Sequence, residues 1–252
     1  MLDGALASFF TALADDLEQL VRLHQCELDL ATVDALQAEQ FPQGLALLPT
    51  AAEDAQVLGE MAQAVAGLPR DAAGLDRLAA DYAAIYLNHR YGTSPCESVW
   101  LSDDHLACAA PMFELRELYA QAGLSLADRQ QYFDDHLVPQ LHYLAHSLRR
   151  LGRAPLSARA GEIASFIDEH VGYWFPEFAA RVVQFADCDF YAALAGLTHW
   201  WLGRLRQSLG EYADYPQPAR EVLRVRIEQK MAREKAEVAP LRFVPGPQGA
   251  SW

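Results

Sequence analysis

Phe190-Tyr191-Ala192-Ala193-Leu194-Ala195-Gly196-Leu197-Thr198-His199-Trp200-Trp201-Leu202-Gly203-Arg204-Leu205 is the stretch that decides the fold. Phe190, Tyr191, Leu194, Leu197, Trp200, Trp201 and Leu205 recur at helical steps and cover more than one face of the helix. Such a helix cannot lie on a surface. It needs other helices around it, so it belongs at the centre of a bundle.

Working outward, the chain supplies them. Residues 5–26 set Leu6, Phe9, Phe10, Leu13, Leu17, Leu20 and Leu23 at three- and four-residue steps, an amphipathic helix. Further helices are predicted over about 32–41, 51–67, 71–87, 111–122, 125–133, 136–151, 157–171 and 174–186, with Asp71 and Ser125 as N-caps. Trp174-Phe175-Pro176 reads as a turn into a helix, because proline disfavours helical backbone before it. Strand signals are almost absent and no repeat appears. The expected fold is all-α, a single-domain bundle of about ten helices over residues 1–215. Residues 216–252 form a different unit: a charged, partly detached helix over 219–239, with a thin seam of Val222, Val225 and Met231, then a disordered tail rich in Pro and Gly.

Residues 88–110 interrupt the helical rhythm. Asn88-His89-Arg90-Tyr91-Gly92-Thr93-Ser94-Pro95 is dense in turn formers, and a connection this long inside a compact domain is often functional. It carries Glu97-Ser98-Val99-Trp100-Leu101, where an aromatic among polar side chains fits either packing or the floor of a peptide groove.

The totals narrow the function. The 252 residues are 52% hydrophobic and carry a net charge of −14, which argues against a partner bound through nucleic-acid phosphates. The charge is uneven. Residues 219–252 hold seven basic and four acidic side chains, leaving 13 basic against 30 acidic, or −17, on the first 218. An acidic body speeds encounter with a basic partner, or simply keeps the protein soluble. No apolar run of membrane-spanning length occurs, and Met1-Leu2-Asp3-Gly4 lacks the positive start of a secretory signal. Cys26, Cys96, Cys108 and Cys188 are scattered thiols without a Cys-x-x-Cys pair, in keeping with a reducing cytoplasm. The expected location is therefore cytoplasmic, with no stable membrane insertion.

Phosphate loops, nucleophile elbows and zinc-protease motifs are missing, so neither an enzyme nor a cofactor is expected. His142 and His146 stand four residues apart, spacing that could share a metal, but His136 lies about 120° away around the helix and no third ligand falls in pattern. No metal site is expected. Asp134-Asp135-His136 opens a helix. It reads as an N-cap, or as an acidic patch with an imidazole suited to a guanidinium, and the two readings are compatible.

Three blocks in order resemble one known family. Tyr82-x-x-Ile85-Tyr86, a loop and Pro95-Cys96-Glu97-Ser98-Val99-Trp100-Leu101 form the first. Asp134-Asp135-His136-Leu137, with Leu141 and Tyr143-Leu144-Ala145, form the second. Trp174-Phe175-Pro176-Glu177-Phe178 and Phe190-Tyr191-Ala192-Ala193-Leu194-Ala195 form the third. Over residues 75–205 the pattern resembles the TorD/DmsD redox-enzyme maturation chaperones. Where that family has Glu and Pro at the hinge this chain has Tyr132 and Phe133, and Cys96 stands at a position often aromatic.

The resemblance implies an all-α chaperone that binds the twin-arginine signal peptide, or the apo-form, of a molybdenum oxidoreductase catalytic subunit. It would assist cofactor insertion and delay export. Paired carboxylates beside an apolar groove would suit such a leader. The candidate peptide-binding residues are Tyr86, Glu97, Ser98, Trp100, Leu101, Tyr132, Asp134, Asp135, His136 and Tyr143. Two alternatives stand beside this: a NarJ-like assembly factor gripping the client body, and a metal-dependent helical-bundle enzyme using His142 and His146. A homodimer is left open.

Overall fold

A computed structural model describes residues 2–101, 110–125 and 132–237. In chain order the helices are α1 (Leu2–Gln25), α2 (Leu30–Ala38), α3 (Ala52–Ala66), α4 (Ala72–Tyr82), α5 (Glu97–Leu101), α6 (Ala110–Gln121), α7 (Leu137–Arg153), α8 (Ser157–Glu169), α9 (Val171–Phe185), α10 (Asp189–Ala213) and α11 (Arg220–Glu237). A π-helical turn, Ala83–Leu87, extends α4. Among the described residues there is no strand beyond a single antiparallel bridge between Cys96 and His136. The all-α expectation holds. No described helix is long and apolar enough to cross a membrane.

The helix expected at the centre is there. Tyr191, Leu194, Leu197, Trp201, Leu205 and Leu209 of α10 are fully buried, with α9, α8 and α3 packed around them. Polar struts fix its rotation. Trp200 Nε1 donates to Asp54 Oδ1 on α3 at 2.8 Å, and Trp201 Nε1 reaches Asp16 Oδ2 on α1 at 3.4 Å. Arg206 forms a two-pronged, buried pair with Asp168 on α8, at 2.8 and 2.9 Å. A guanidinium that deep is tolerable only because both its charge and its hydrogen bonds are met. The start of α10 is held by Asp81, whose carboxylate accepts the backbone N–H groups of Asp187 and Cys188.

The other large interface pairs α1 with α7. Leu13, Leu17 and Leu20 of α1 and Leu141, Leu144, Leu148 and Leu151 of α7 are completely buried. The helices run antiparallel: Gly152 near the end of α7 lies against Ala7 and Thr11, while Tyr132, just before α7, donates to the Gln25 carbonyl at the end of α1 at 2.9 Å. Arg149 bridges Asp15 and Glu18 along the rim.

Three expectations need correction. Pro176 is not a turn into a helix; α9 already starts at Val171 and carries Pro176 inside it. Burial of Trp174, Phe175 and Phe178 outweighs the donor that proline cannot supply. The chain breaks earlier, at His170 (φ −121°, ψ −110°), where a Cβ on Gly172 would meet the Ile167 carbonyl oxygen at 2.5 Å. Next, the 88–110 stretch holds a short helix, α5; residues 102–109 lie outside the described residues. Third, α11 is not detached, and its seam is not Val222 and Val225, which are exposed. It packs on α6 and α8 through buried Leu223 and Ile227. Of the helix expected over 125–133, residues 126–131 lie outside the described residues, as does the expected disordered tail beyond 237.

Candidate functional site

The loop before α5 and the segment before α7 are stitched together by two backbone hydrogen bonds. Glu97 N–H donates to the Asp135 carbonyl at 3.0 Å, and Leu137 N–H donates to the Pro95 carbonyl at 2.7 Å. This bridge brings Glu97, Ser98, Asp134, Asp135 and His136 into one buried hinge.

Each acid there has a task within the fold. Asp135 Oδ2 accepts the Ser98 N–H at 2.9 Å and so caps the first turn of α5. Asp134 receives Arg116 of α6, Nε at 2.9 Å and NH2 at 2.7 Å, while its own carbonyl accepts the Tyr119 hydroxyl at 2.9 Å. The cap of α7 is neither aspartate. It is His136, whose Nδ1 accepts the Val138 N–H at 3.1 Å. The accepting ring nitrogen must be unprotonated, and burial drives the His136 pKa down to about 3.

Glu97 lies deeper. Its carboxylate takes His170 Nδ1 at 3.1 Å and Gln140 Nε2 at 3.0 Å, and the Trp174 indole donates onward to Gln140 Oε1 at 3.4 Å. Burial pushes the Glu97 carboxyl upward in spite of His170. Burial opposes the charge on His170, yet the Glu97 carboxylate outweighs it and holds the imidazole above its ordinary range. His170 therefore keeps its proton to a higher pH than an ordinary imidazole does.

Most of the remaining candidates lie apart from the hinge acids, and Tyr132 is the exception. Trp100 donates from Nε1 to the Ser94 carbonyl at 2.7 Å, stacks on Trp174 and has the Arg181 guanidinium 5.2 Å above its ring. Leu101 ends α5 beside Ile227 of α11. Tyr132 lays its ring 4.6 Å from that of His136, forming the outer wall of the hinge. Tyr143 packs between Tyr119 and Phe166. Tyr86 is in the core, its hydroxyl 2.6 Å from His24 Nδ1, and His24 Nε2 is 2.9 Å from Thr198 Oγ1. Sequence reading missed Arg116, Gln140 and His170. Arg116 left one signal, a lone basic residue among the apolar and acidic residues of α6. Among the described residues no group of three or more His, Cys, Asp or Glu could hold a metal.

A family model described as nitrate reductase delta subunit matches residues 48–180, more than half of the chain. The chain belongs to the nitrate reductase delta subunit family. Its similarity to curated proteins points the same way. Chaperone protein TorD of Vibrio cholerae serotype O1 is 30% identical over 190 residues, covering 73% of this chain and 84% of the relative. Chaperone protein TorD of Shewanella pealeana is 29% identical over 184 residues, 70% of this chain and 80% of the relative. The protein of the same name from Escherichia coli O8 is 29% identical over 181 residues, 71% and 86%. As a member of this family the chain is a redox-enzyme maturation chaperone, not an enzyme. The hinge and the bridge at Cys96 both fall inside the family match.

Proposed function

We propose that this chaperone acts in the cytoplasm on the catalytic subunit of a molybdenum oxidoreductase, and that it holds the subunit by its twin-arginine leader until cofactor insertion is complete. The observation that carries this reading is the contact between Asp134 and Arg116. The hinge already binds a guanidinium, and the guanidinium is the chain's own. A client arginine of the same chemistry would compete for that carboxylate, with Tyr132 and the half-exposed Phe133 offering apolar cover beside it. Glu97 and Asp135 are the further acceptors, within the same bridged segment.

The competition makes a prediction that does not depend on breaking the fold. Arg116→Met frees Asp134 and is expected to tighten binding of a synthetic twin-arginine leader peptide several-fold in calorimetric titration. Asp134→Asn is expected to weaken it by about tenfold or more, the scale of a lost charge-assisted hydrogen bond. Equal affinity of both variants and the native chain removes the hinge from leader binding.

A second reading, a grip on the client body, is favoured by one observation. Glu97, Asp134 and Asp135 are all buried, whereas Leu87, Phe113, Phe133 and Phe185 are exposed apolar groups that a folding intermediate could touch. Recovery of a leader-deleted client as complete as that of the full-length one would select it.

A further inference from the structure

We infer that the face of the molecule beneath α11 is a docking surface for a basic amphipathic segment of the client, and that α11 is its resident occupant, displaced when the client binds. This rests on the leader reading and explains how carboxylates so deeply buried come to meet a client.

The surface beneath α11 is formed by Leu101 at the end of α5, Ala110 and Pro111 at the start of α6, and Glu169 and His170 where α8 ends. Acids line it, and they pair with the bases of α11. Lys230 Nζ lies 2.6 Å from both Glu114 and Glu169, Arg226 is 3.6 Å from Glu169, and Arg220 is 2.9 Å from Glu177. Between these bases Leu223 and Ile227 are buried, and Met231, just after Lys230, is half-buried. Bases alternating with an apolar stripe is the chemistry that a leader of arginines and apolar residues would bring to the same acids.

Two features make α11 a removable occupant. Its apolar anchor is thin, with the lower part of the helix held by the Leu223 and Ile227 pair. It also carries its own helical support, Arg224 paired at 2.5 Å with both Glu221 and Glu228, which survives undocking. Directly below it lies the Glu97–His170 pair, and Lys230 sits close enough to act on the charge of His170. Lifting α11 uncovers Glu97, Glu114 and Glu169 together, three carboxylates for guanidinium groups beside an apolar floor.

The test uses the full chain and Ile227→Asp, which places a charge in the anchor of α11 and leaves the surface beneath it intact. The probe is a synthetic peptide with consecutive arginines followed by an apolar stretch. Ile227→Asp is expected to bind it about tenfold more tightly than the native chain. Saturating peptide is expected to speed hydrogen exchange across residues 220–232 of the native chain by a similar factor. Faster exchange in Ile227→Asp with unchanged affinity overturns the proposal and leaves the leader reading standing, as does increased protection of α11 in the peptide complex. If neither chain binds the peptide, the leader reading fails, and a synthetic peptide of residues 219–237 is then titrated into Ile227→Asp. Binding of that peptide upholds the docking surface for a basic amphipathic helix; its failure to bind overturns both.

Discussion

His24 shows how a single side chain ties the bundle to neutral pH. It bridges the Tyr86 hydroxyl and Thr198 with no exposure to solvent, and burial drives its pKa down to about 3. The unfolded chain binds a proton at His24 below about pH 6.5, whereas the folded chain refuses it until about pH 3. Its contribution to stability is therefore complete above pH 6.5 and is lost progressively as pH falls. In urea unfolding, the stability advantage of the native chain over His24→Gln is expected to shrink by about 2 kcal/mol between pH 7 and pH 5. An advantage that stays constant with pH means the imidazole is not held neutral. At this scale the sequence was only partly legible. Asp134-Asp135-His136 announces a helix start, but which of the three caps it depends on the ring of His136 turning back toward Val138. The partners of the acids were out of sight because they come from elsewhere in the chain, Arg116 18 residues from Asp134 and His170 73 residues from Glu97.

Among the elements, the antiparallel pair α1 and α7 sets the frame on which the hinge is mounted, since α7 begins at the hinge itself. They come close together at Gly152, where a Cβ would stand 2.7 Å from Thr11 Oγ1, 3.1 Å from the Ala7 carbonyl oxygen and 3.3 Å from Thr11 N. The helices meet there because one residue has no side chain. Gly152→Val is expected to lose about 1–3 kcal/mol in chemical denaturation through overpacking, and adding Thr11→Ala should recover part of that loss. Unchanged stability in the single variant contradicts so tight a contact. Element existence was readable from periodicity, because α1, α7 and α10 each bury a continuous stripe. The errors fell where tertiary burial overrode local rules. Buried aromatics on both sides of Pro176 keep α9 helical through a residue that ordinarily ends a helix. On α11 the buried stripe is Leu223 and Ile227, one and two positions along from the expected Val222 and Val225, because the charged residues of that helix are drawn to Glu114 and Glu169 and set its rotation.

Taken whole, the molecule is an acidic helical bundle whose basic C-terminal helix lies across acids of the body. The net charge of −17 over the first 218 residues and the run of bases in the last 34 were visible in the sequence; that they meet on one surface was not. The family and the all-α fold were legible because three blocks keep their order. The arrangement of the hinge acids was not, because they are turned inward and occupied by the chain's own Arg116, Gln140 and His170. At this scale the proposal is that the chain holds a molybdenum oxidoreductase subunit before its cofactor is in place. The most direct test is co-purification of the tagged full chain with the catalytic subunit of a molybdenum oxidoreductase, once in apo-form and once loaded with cofactor. A stoichiometric complex with the apo-form, lost on loading, is the expected result; equal recovery of both forms, or of neither, would contradict the proposal.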